Sequence, residues 1–253
     1  MEITVTKNIN NRLRNGEWFN MEMNVNGYNI VVREDSTTNF VPVLVMDGPP
    51  PFEVLPRDIP GVKYKPQMAQ YSNVDDWNYT WTASHPVEVT KKSYDLVAVL
   101  AQRYATHGIM EIGVCNNGVG SFTNALLTSK PDSVPYLGID YKDKSFLDDP
   151  AKNVHTVIAH SADQIKIRDA AKKIGMDKVS ILLIDGWHSV DMVINDWLYS
   201  DMLSENGIVI FHDTNSHPGP VVFLPAIDEK MYKVTKFFEN DDDYGLSVAY
   251  RTT

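Results

Sequence analysis

The stretch from Gly108 to Asp140, GIMEIGVCNNGVGSFTNALLTSKPDSVPYLGID, constrains the fold more than any other part of the chain. It predicts a strand (GIMEIGV), a glycine-bearing turn (CNNGVG), an amphipathic helix with Phe122, Ala125 and Leu126 on one face, and a second strand (VPYLGID) ending in a carboxylate. That succession is half of a nucleotide-binding parallel sheet. In such sheets a ligand lies beyond the carboxyl ends of the strands, where a helix begins and glycine lets the backbone come close. Gly113, Gly118 and Gly120 supply that approach, and Asp140 is placed to accept hydrogen bonds from both ribose hydroxyls.

Spacing separates two ligand classes. A dinucleotide site carries GxGxxG, whose second glycine is missing here, so an NAD-linked oxidoreductase is the weaker alternative. The run EIGVCNNGVG instead resembles the first motif of class I S-adenosylmethionine-dependent methyltransferases, which opens on an acidic residue followed by spaced glycines. The resemblance implies that Glu111, Gly113, Asn117, Gly118 and Gly120 bind the cofactor, with Asn117 standing where a glycine is common, and that Asp140 holds the ribose.

The rest of the chain is consistent with one such sheet and an added module. Residues 1 to about 85 differ in pattern from the remainder: WFNMEMNV and YNIVVRE alternate around Asn26-Gly27, a strong hairpin signal, and VPVLVMD reads as a further strand. Half of the prolines then fall between Pro42 and Pro66, and residues 67–86 are rich in aromatic and polar groups (Tyr71, Trp77, Tyr79, Trp81, His85). That segment is either a packed loop or a lid over an acceptor. We expect a β-rich module over 1–86 and a cofactor-binding domain over 87–253.

In the second part, Pro86 suits the first turn of a helix from about Val87 to Tyr104, with Tyr94, Val97, Ala98, Ala101 and Tyr104 at helical spacing. After Asp140 come a strand (VHTVIAHSAD), a helix with Ile167, Ala170, Ala171 and Ile174 on one face, and VSILLIDGWH, apolar enough for a strand buried on both faces. A helix burying Val190, Val193, Ile194, Trp197 and Leu198 leads to the strand GIVIFHD. Strands alternating with helices imply a parallel sheet. The end breaks the rule: MYKVTKFFEN and GLSVAYRT, joined by a short acidic turn read as solvated, require an antiparallel pair. A parallel sheet ending so is similar to the Rossmann-like, seven-stranded class I methyltransferase sheet, whose last strand is antiparallel. The likeness spans about residues 87 to 253.

Two strand ends carry the chemistry. IDGWHS puts Asp185 and His188 past the fourth strand, and FHD puts His212 and Asp213 at the end of the fifth, so all four face the cofactor crevice. Clustered charges beside a core are costly, which argues for function. The phrase IDGxHS, an acidic helix and NGIVIFHD resemble the metal-dependent sugar O-methyltransferases of the macrocin and mycinamicin type and the related cephalosporin-hydroxylase-like group. In that family the aspartate of IDG and the acid closing the fifth strand hold magnesium, and the histidine after IDG is the base. Carried over, Asp185 and Asp213 are metal ligands with His212 between them in sequence, and His188 is the base. His212 stands where some members carry a second acid. Asp185 is counted as catalytic and cofactor-binding as well. The resemblance also puts Ser161, Ala162 and Asp163 at the adenine, although Asp163 is equally a helix N-cap. His217 belongs to the acceptor side or to a plain loop; His107, His155 and His160 are read as structural.

Charge and composition narrow the partners. A formal charge of -10 opposes binding to a nucleic-acid backbone or an anionic membrane, which need clustered cations. The lone Cys115, most simply a small buried residue, excludes an internal disulfide and fits a reducing compartment. No apolar run spans a membrane, and the first residues lack the apolar core of a signal peptide, so a soluble cytoplasmic protein is expected. The expected activity is methyl transfer from S-adenosylmethionine, with magnesium as a candidate second cofactor, to a hydroxyl of a small polar acceptor such as a sugar. A homo-oligomer stays open. Besides the oxidoreductase, the remaining reading is a non-catalytic binding protein that keeps the sheet as a scaffold.

Overall fold

The computed structural model describes residues 59–63, 65, 68, 89–114, 120–239 and 243–252, together with four strands nearer the start. The chain divides into two compact units, Met1–Arg57 and Asp58–Thr253. In the first, β1 (Ile3–Thr4), β2 (Phe19–Val25), β3 (Tyr28–Glu34) and β4 (Val43–Asp47) form one antiparallel sheet in that order. Val25 pairs with Tyr28, so two residues, Asn26 and Gly27, connect β2 to β3 as the Asn-Gly pair implied. The aromatic residues from Tyr71 to His85, and the expected boundary at 86/87, lie outside the described residues.

The second unit alternates helix and strand: α1 (Lys91–Tyr104), β5 (Ile109–Ile112), α2 (Phe122–Ser129), β6 (Tyr136–Asp140), β7 (Val154–Ile158), α3 (Gln164–Lys173), β8 (Val179–Ile184), α4 (Val190–Trp197), β9 (Leu203–His212), α5 (Pro218–Phe223), β10 (Tyr232–Phe237) and β11 (Leu246–Arg251). The sheet order is β10-β11-β9-β8-β5-β6-β7. Strands β5 to β9 pair in parallel, while β11 lies between β9 and β10 and is antiparallel to both. The chain runs outward from β5 to β7 and then returns to β8 on the other side of β5. That reversal opens a crevice at the carboxyl ends of β5 and β8, the usual place for a ligand in such sheets.

Burial explains the elements. Every residue of β5 and β8 is buried, as strands covered on both faces require. On one face Ile181, Leu183, Ile208, Ile210, Leu246 and Val248 pack under Val97, Ala101, Phe122 and Leu126 of α1 and α2. On the other, the Trp197 ring lies 5.9 Å from Phe211, 5.5 Å from Phe223 and 4.9 Å from Tyr232. The indole N–H donates to the carbonyl of Pro60 at 2.8 Å, and the Lys63 N–H to that of Ala226 at 2.6 Å. Part of the proline-rich stretch is thereby fastened to this sheet. No helix among the described residues is long and apolar enough to cross a membrane.

Four local expectations change. Helix α1 starts at Lys91, later than Pro86 suggested, because the Thr90 side chain accepts the Ser93 N–H and caps it. Its buried face carries Ser93 and Leu100, with Tyr94, Ala98 and Tyr104 only half covered. The acidic turn is not wholly solvated: Asp243 is 2% exposed, accepting from the Thr90 hydroxyl at 2.5 Å and the Gly245 N–H at 2.8 Å. In α4 the buried set is Val190, Val193, Ile194, Asp196 and Trp197, so an aspartate occupies the stripe where Leu198 was expected.

Candidate active site

Gly113 directly follows β5 with φ of 86°, and a Cβ there would lie 1.9 Å from the carbonyl oxygen of Asp185. Only glycine allows that contact, so this residue seats the end of β5 against the end of β8. The Asp185 N–H donates to Ile112 O at 2.9 Å across the same junction. Next along the crevice, the Asp140 carboxylate accepts the Val114 N–H at 3.2 Å and the Lys142 N–H at 2.8 Å, with the Lys144 ammonium 3.4 Å away. Its side chain is 9% exposed. Asn117 and Gly118 lie outside the described residues, as does Cys115.

The second group assembles from the ends of β8 and β9. His212 is 1% exposed, and its Nδ1 lies 2.8 Å from Asp185 Oδ1 and 3.4 Å from Asp213 Oδ2. His188 Nε2 lies 2.8 Å from Asp213 Oδ2. Asp213 adopts a left-handed backbone, φ 59°, which turns its side chain back between the two imidazoles. Burial works against charge on His212, yet the flanking carboxylates of Asp213 and Asp185 outweigh it and raise its pKa well above the ordinary value. Burial would likewise raise Asp213, but His212 and His188 hold it well below the carboxylate range. Asp185 is raised, chiefly by burial, with His212 opposing.

All four strand-end residues named from the sequence therefore meet. The other expected residues take varied places. Glu111 is fully buried: Thr123 Oγ1 donates to Oε1 at 2.8 Å and the Tyr136 hydroxyl donates to Oε2. It ties α2 and β6 to β5. Gly120 is exposed just before α2, whose Ser121 side chain accepts the Asn124 N–H at 3.2 Å. Asp163 caps α3, accepting the Lys166 N–H at 3.1 Å; Ala162 is exposed, and the Ser161 carbonyl accepts the Tyr199 hydroxyl at 2.7 Å.

Sequence reasoning missed three participants. Lys144 beside Asp140 comes from an irregular turn that no periodicity marks. Tyr244 places its ring 6.3 Å from His212 and 6.1 Å from His217; its only signal is a position after the acidic run. Asp196 is fully buried under the IDGWHS turn, where a Cβ on Gly186 would lie 3.2 Å from its Oδ2. Neither of its oxygens completes a hydrogen bond among the described residues. Burial raises its pKa to about 7, with Ser161 and His188 offsetting only part of that.

No family model matches the sequence, and no curated protein is similar to it. Among solved structures, the O-methyltransferase from Bacillus cereus in complex with SAH aligns at a TM-score of 0.51, with 13% identity, over 68% of this chain and 84% of that one. The fold is that of class I methyltransferases. TomG from Streptomyces achromogenes, an O-methyltransferase of tomaymycin synthesis in complex with SAM, aligns at 0.47 with 14% identity, over 76% of this chain and 92% of that one. The MycE methyltransferase of the mycinamycin pathway, in complex with Mg, SAH and mycinamycin VI, aligns at 0.46 with 14% identity over 59% of this chain. This chain spans about half the length of MycE, 46% of it.

The donors at the strand ends suit a divalent ion. Asp185, His212 and Asp213 each bring one ligand atom, all within 4.8 Å of one another. Two carboxylates are what a magnesium ion ordinarily takes from a protein, with waters completing its shell.

Proposed function

We propose that this protein is an S-adenosylmethionine-dependent O-methyltransferase acting on a hydroxyl of a small polar acceptor, with a sugar as the favoured class. One observation carries the reading: His188, held by Asp213 at 2.8 Å, stands at the crevice of a class I methyltransferase sheet. An ionised carboxylate only accepts hydrogen bonds, so the proton in that bond sits on Nε2 of His188. Nδ1 then keeps its lone pair and is the atom that takes the proton of the acceptor hydroxyl. Asp213 fixes ring orientation and tautomer and stabilises the imidazolium once it forms, the part a carboxylate plays in other Asp–His pairs.

Cofactor binding falls to Asp140 and the glycine turn. The Asp140 carboxylate takes the ribose hydroxyls, with Val114 N–H and Lys144 holding it in place. S-adenosylmethionine, when bound, supplies an electrophilic methyl group for in-line transfer. The residues must align the acceptor oxygen and remove its proton. Asp185 and Asp213 would hold magnesium, which supplies positive charge that lowers the pKa of a bound hydroxyl. Trp187, 54% exposed between Asp185 and His188, offers a flat apolar face to a sugar ring, which supports that acceptor class. The net charge of -10 supports a small acceptor over nucleic acid.

The test is calorimetric titration of the full chain with S-adenosylmethionine, S-adenosylhomocysteine and NAD, with and without magnesium, in wild type and Asp140→Ala. Saturable binding of the two adenosyl ligands that the variant loses is the expected result. Binding of NAD alone would transfer the protein to the oxidoreductases, and binding of none would leave the sheet as a scaffold.

A further inference from the structure

A second group of donors shares Asp213 and has a different chemical character. His188, Asp213 and His217 each offer one ligand atom, and these atoms all lie within 4.8 Å of one another. The two imidazole rings face each other with centroids 4.0 Å apart and planes 28° from parallel. Main-chain bonds set this arrangement. The His217 N–H donates to Asp213 O at 3.1 Å, and the Gly219 N–H donates to His188 O at 2.6 Å. A Cβ on Gly219 would lie 2.1 Å from that carbonyl, so the closeness of the two turns requires glycine there. The donors thus come from two turns fastened to each other.

We propose that His188, Asp213 and His217 bind a divalent transition ion of the zinc type, and that this ion inhibits the enzyme. The binding rests on the closeness of the three ligand atoms, all within 4.8 Å of one another; the inhibition rests on the reading of His188 as the base. Two imidazole nitrogens and one carboxylate make the three-ligand set of open zinc sites, with water in the fourth position. Magnesium favours oxygen and gains little from imidazole, so the same three residues discriminate against it. The His188 side chain is 26% exposed, which leaves the ion a path from solvent. On binding, the Nε2 proton of His188 is released to solvent and a metal–nitrogen bond takes its place, with no change of oxidation state. The ion draws electron density from the ring, so Nδ1 no longer accepts the acceptor's proton. It also occupies Asp213, which the magnesium site needs.

The experiment is calorimetric titration of metal-stripped full-length protein with zinc chloride in the presence of excess magnesium, comparing wild type with His217→Ala and Asp185→Ala. Wild type should take one zinc per chain. His217→Ala should bind it at least ~10-fold more weakly, a loss of ~1.4 kcal/mol, and Asp185→Ala should bind it as wild type does. Cobalt(II) in place of zinc should give a visible absorption band in wild type that His217→Ala loses. Unchanged S-adenosylmethionine affinity in His217→Ala shows that the variant is folded. Absence of zinc binding in wild type, or equal affinity in His217→Ala, overturns the proposal. So does binding lost in Asp185→Ala and kept in His217→Ala, which puts the ion on the magnesium set. The adenosylmethionine titration decides the methyltransferase reading separately, because zinc binding is measured without cofactor.

Discussion

Replacing Glu111 with glutamine should stabilise the protein in alkali and leave it unchanged in mild acid. The carboxyl is fully buried, and burial raises its pKa from 4.5 to about 8, with the Tyr136 and Thr123 bonds opposing the rise. The sign follows from proton counts. Below pH 4.5 the group is protonated in both the folded and the unfolded chain, so it contributes nothing to the pH dependence. Between 4.5 and 8 the unfolded chain has lost the proton while the folded chain keeps it, so stability falls as pH rises. At ~1.4 kcal/mol per pH unit the loss reaches about 4 kcal/mol at pH 8 and levels near 5 kcal/mol by pH 9. Glutamine is neutral like the protonated acid, and its carbonyl keeps one acceptor for the Tyr136 and Thr123 hydroxyls that donate to the carboxyl. Urea unfolding at pH 5, 7 and 9 checks this. The two proteins should agree within about 1 kcal/mol at pH 5, and the variant should be more stable by several kcal/mol at pH 9. A constant difference across that range would mean that Glu111 is ionised in the folded protein and would refute the argument.

Other perturbations address the site. Gly113→Ala forces a methyl group to 1.9 Å from the Asp185 carbonyl at a φ of 86°, and should cost more than ~3 kcal/mol in a denaturation experiment; wild-type stability would disprove the β5–β8 contact. Asp196→Asn removes an acid whose pKa burial raises to about 7, so it should gain ~2–4 kcal/mol over wild type at pH 8 and nothing near pH 4. Equal unfolding midpoints at pH 8 would contradict that. His188→Asn should lower turnover by ~100-fold or more while leaving S-adenosylmethionine affinity intact. If turnover survives, another group is the base. Asp213→Asn should lower turnover too, by leaving His188 without its orienting carboxylate; an unchanged rate would mean that their 2.8 Å contact plays no part in catalysis.

Where the sequence was informative, the physics acted locally. A strand, glycine turn, helix and carboxylate in fixed order admit few arrangements, and the reversed last strand was legible because a short turn cannot join parallel strands. Asp185, His188, His212 and Asp213 could be brought together from their positions at strand ends alone. What escaped depended on partners distant in the chain. Nothing around Thr90 says that Asp243 closes over it, yet that pairing helps to fix where α1 begins. Asp196 falls on the apolar stripe of α4, and a single polar residue on such a stripe reads as exposed until the turn above it is known. Lys144 reaches Asp140 through an irregular loop whose path follows no period. The glycines divided in the same way: Gly113 reads as room for a ligand, whereas the nearest neighbour of its missing side chain is the protein's own Asp185 carbonyl.

The short bond from Gly219 N to His188 O has a consequence for anyone who would re-engineer this protein. Turns that touch only through side chains can be exchanged one at a time between relatives, since each keeps its own backbone path. Here the IDGWHS turn and the HPG turn that opens α5 share a main-chain contact too close for any side chain, so they behave as a single part. A graft that imports one without the other would set a foreign backbone against a gap shaped for glycine and lose the alignment of His188. Acceptor range in this fold is therefore expected to change in paired steps, with both turns exchanged together.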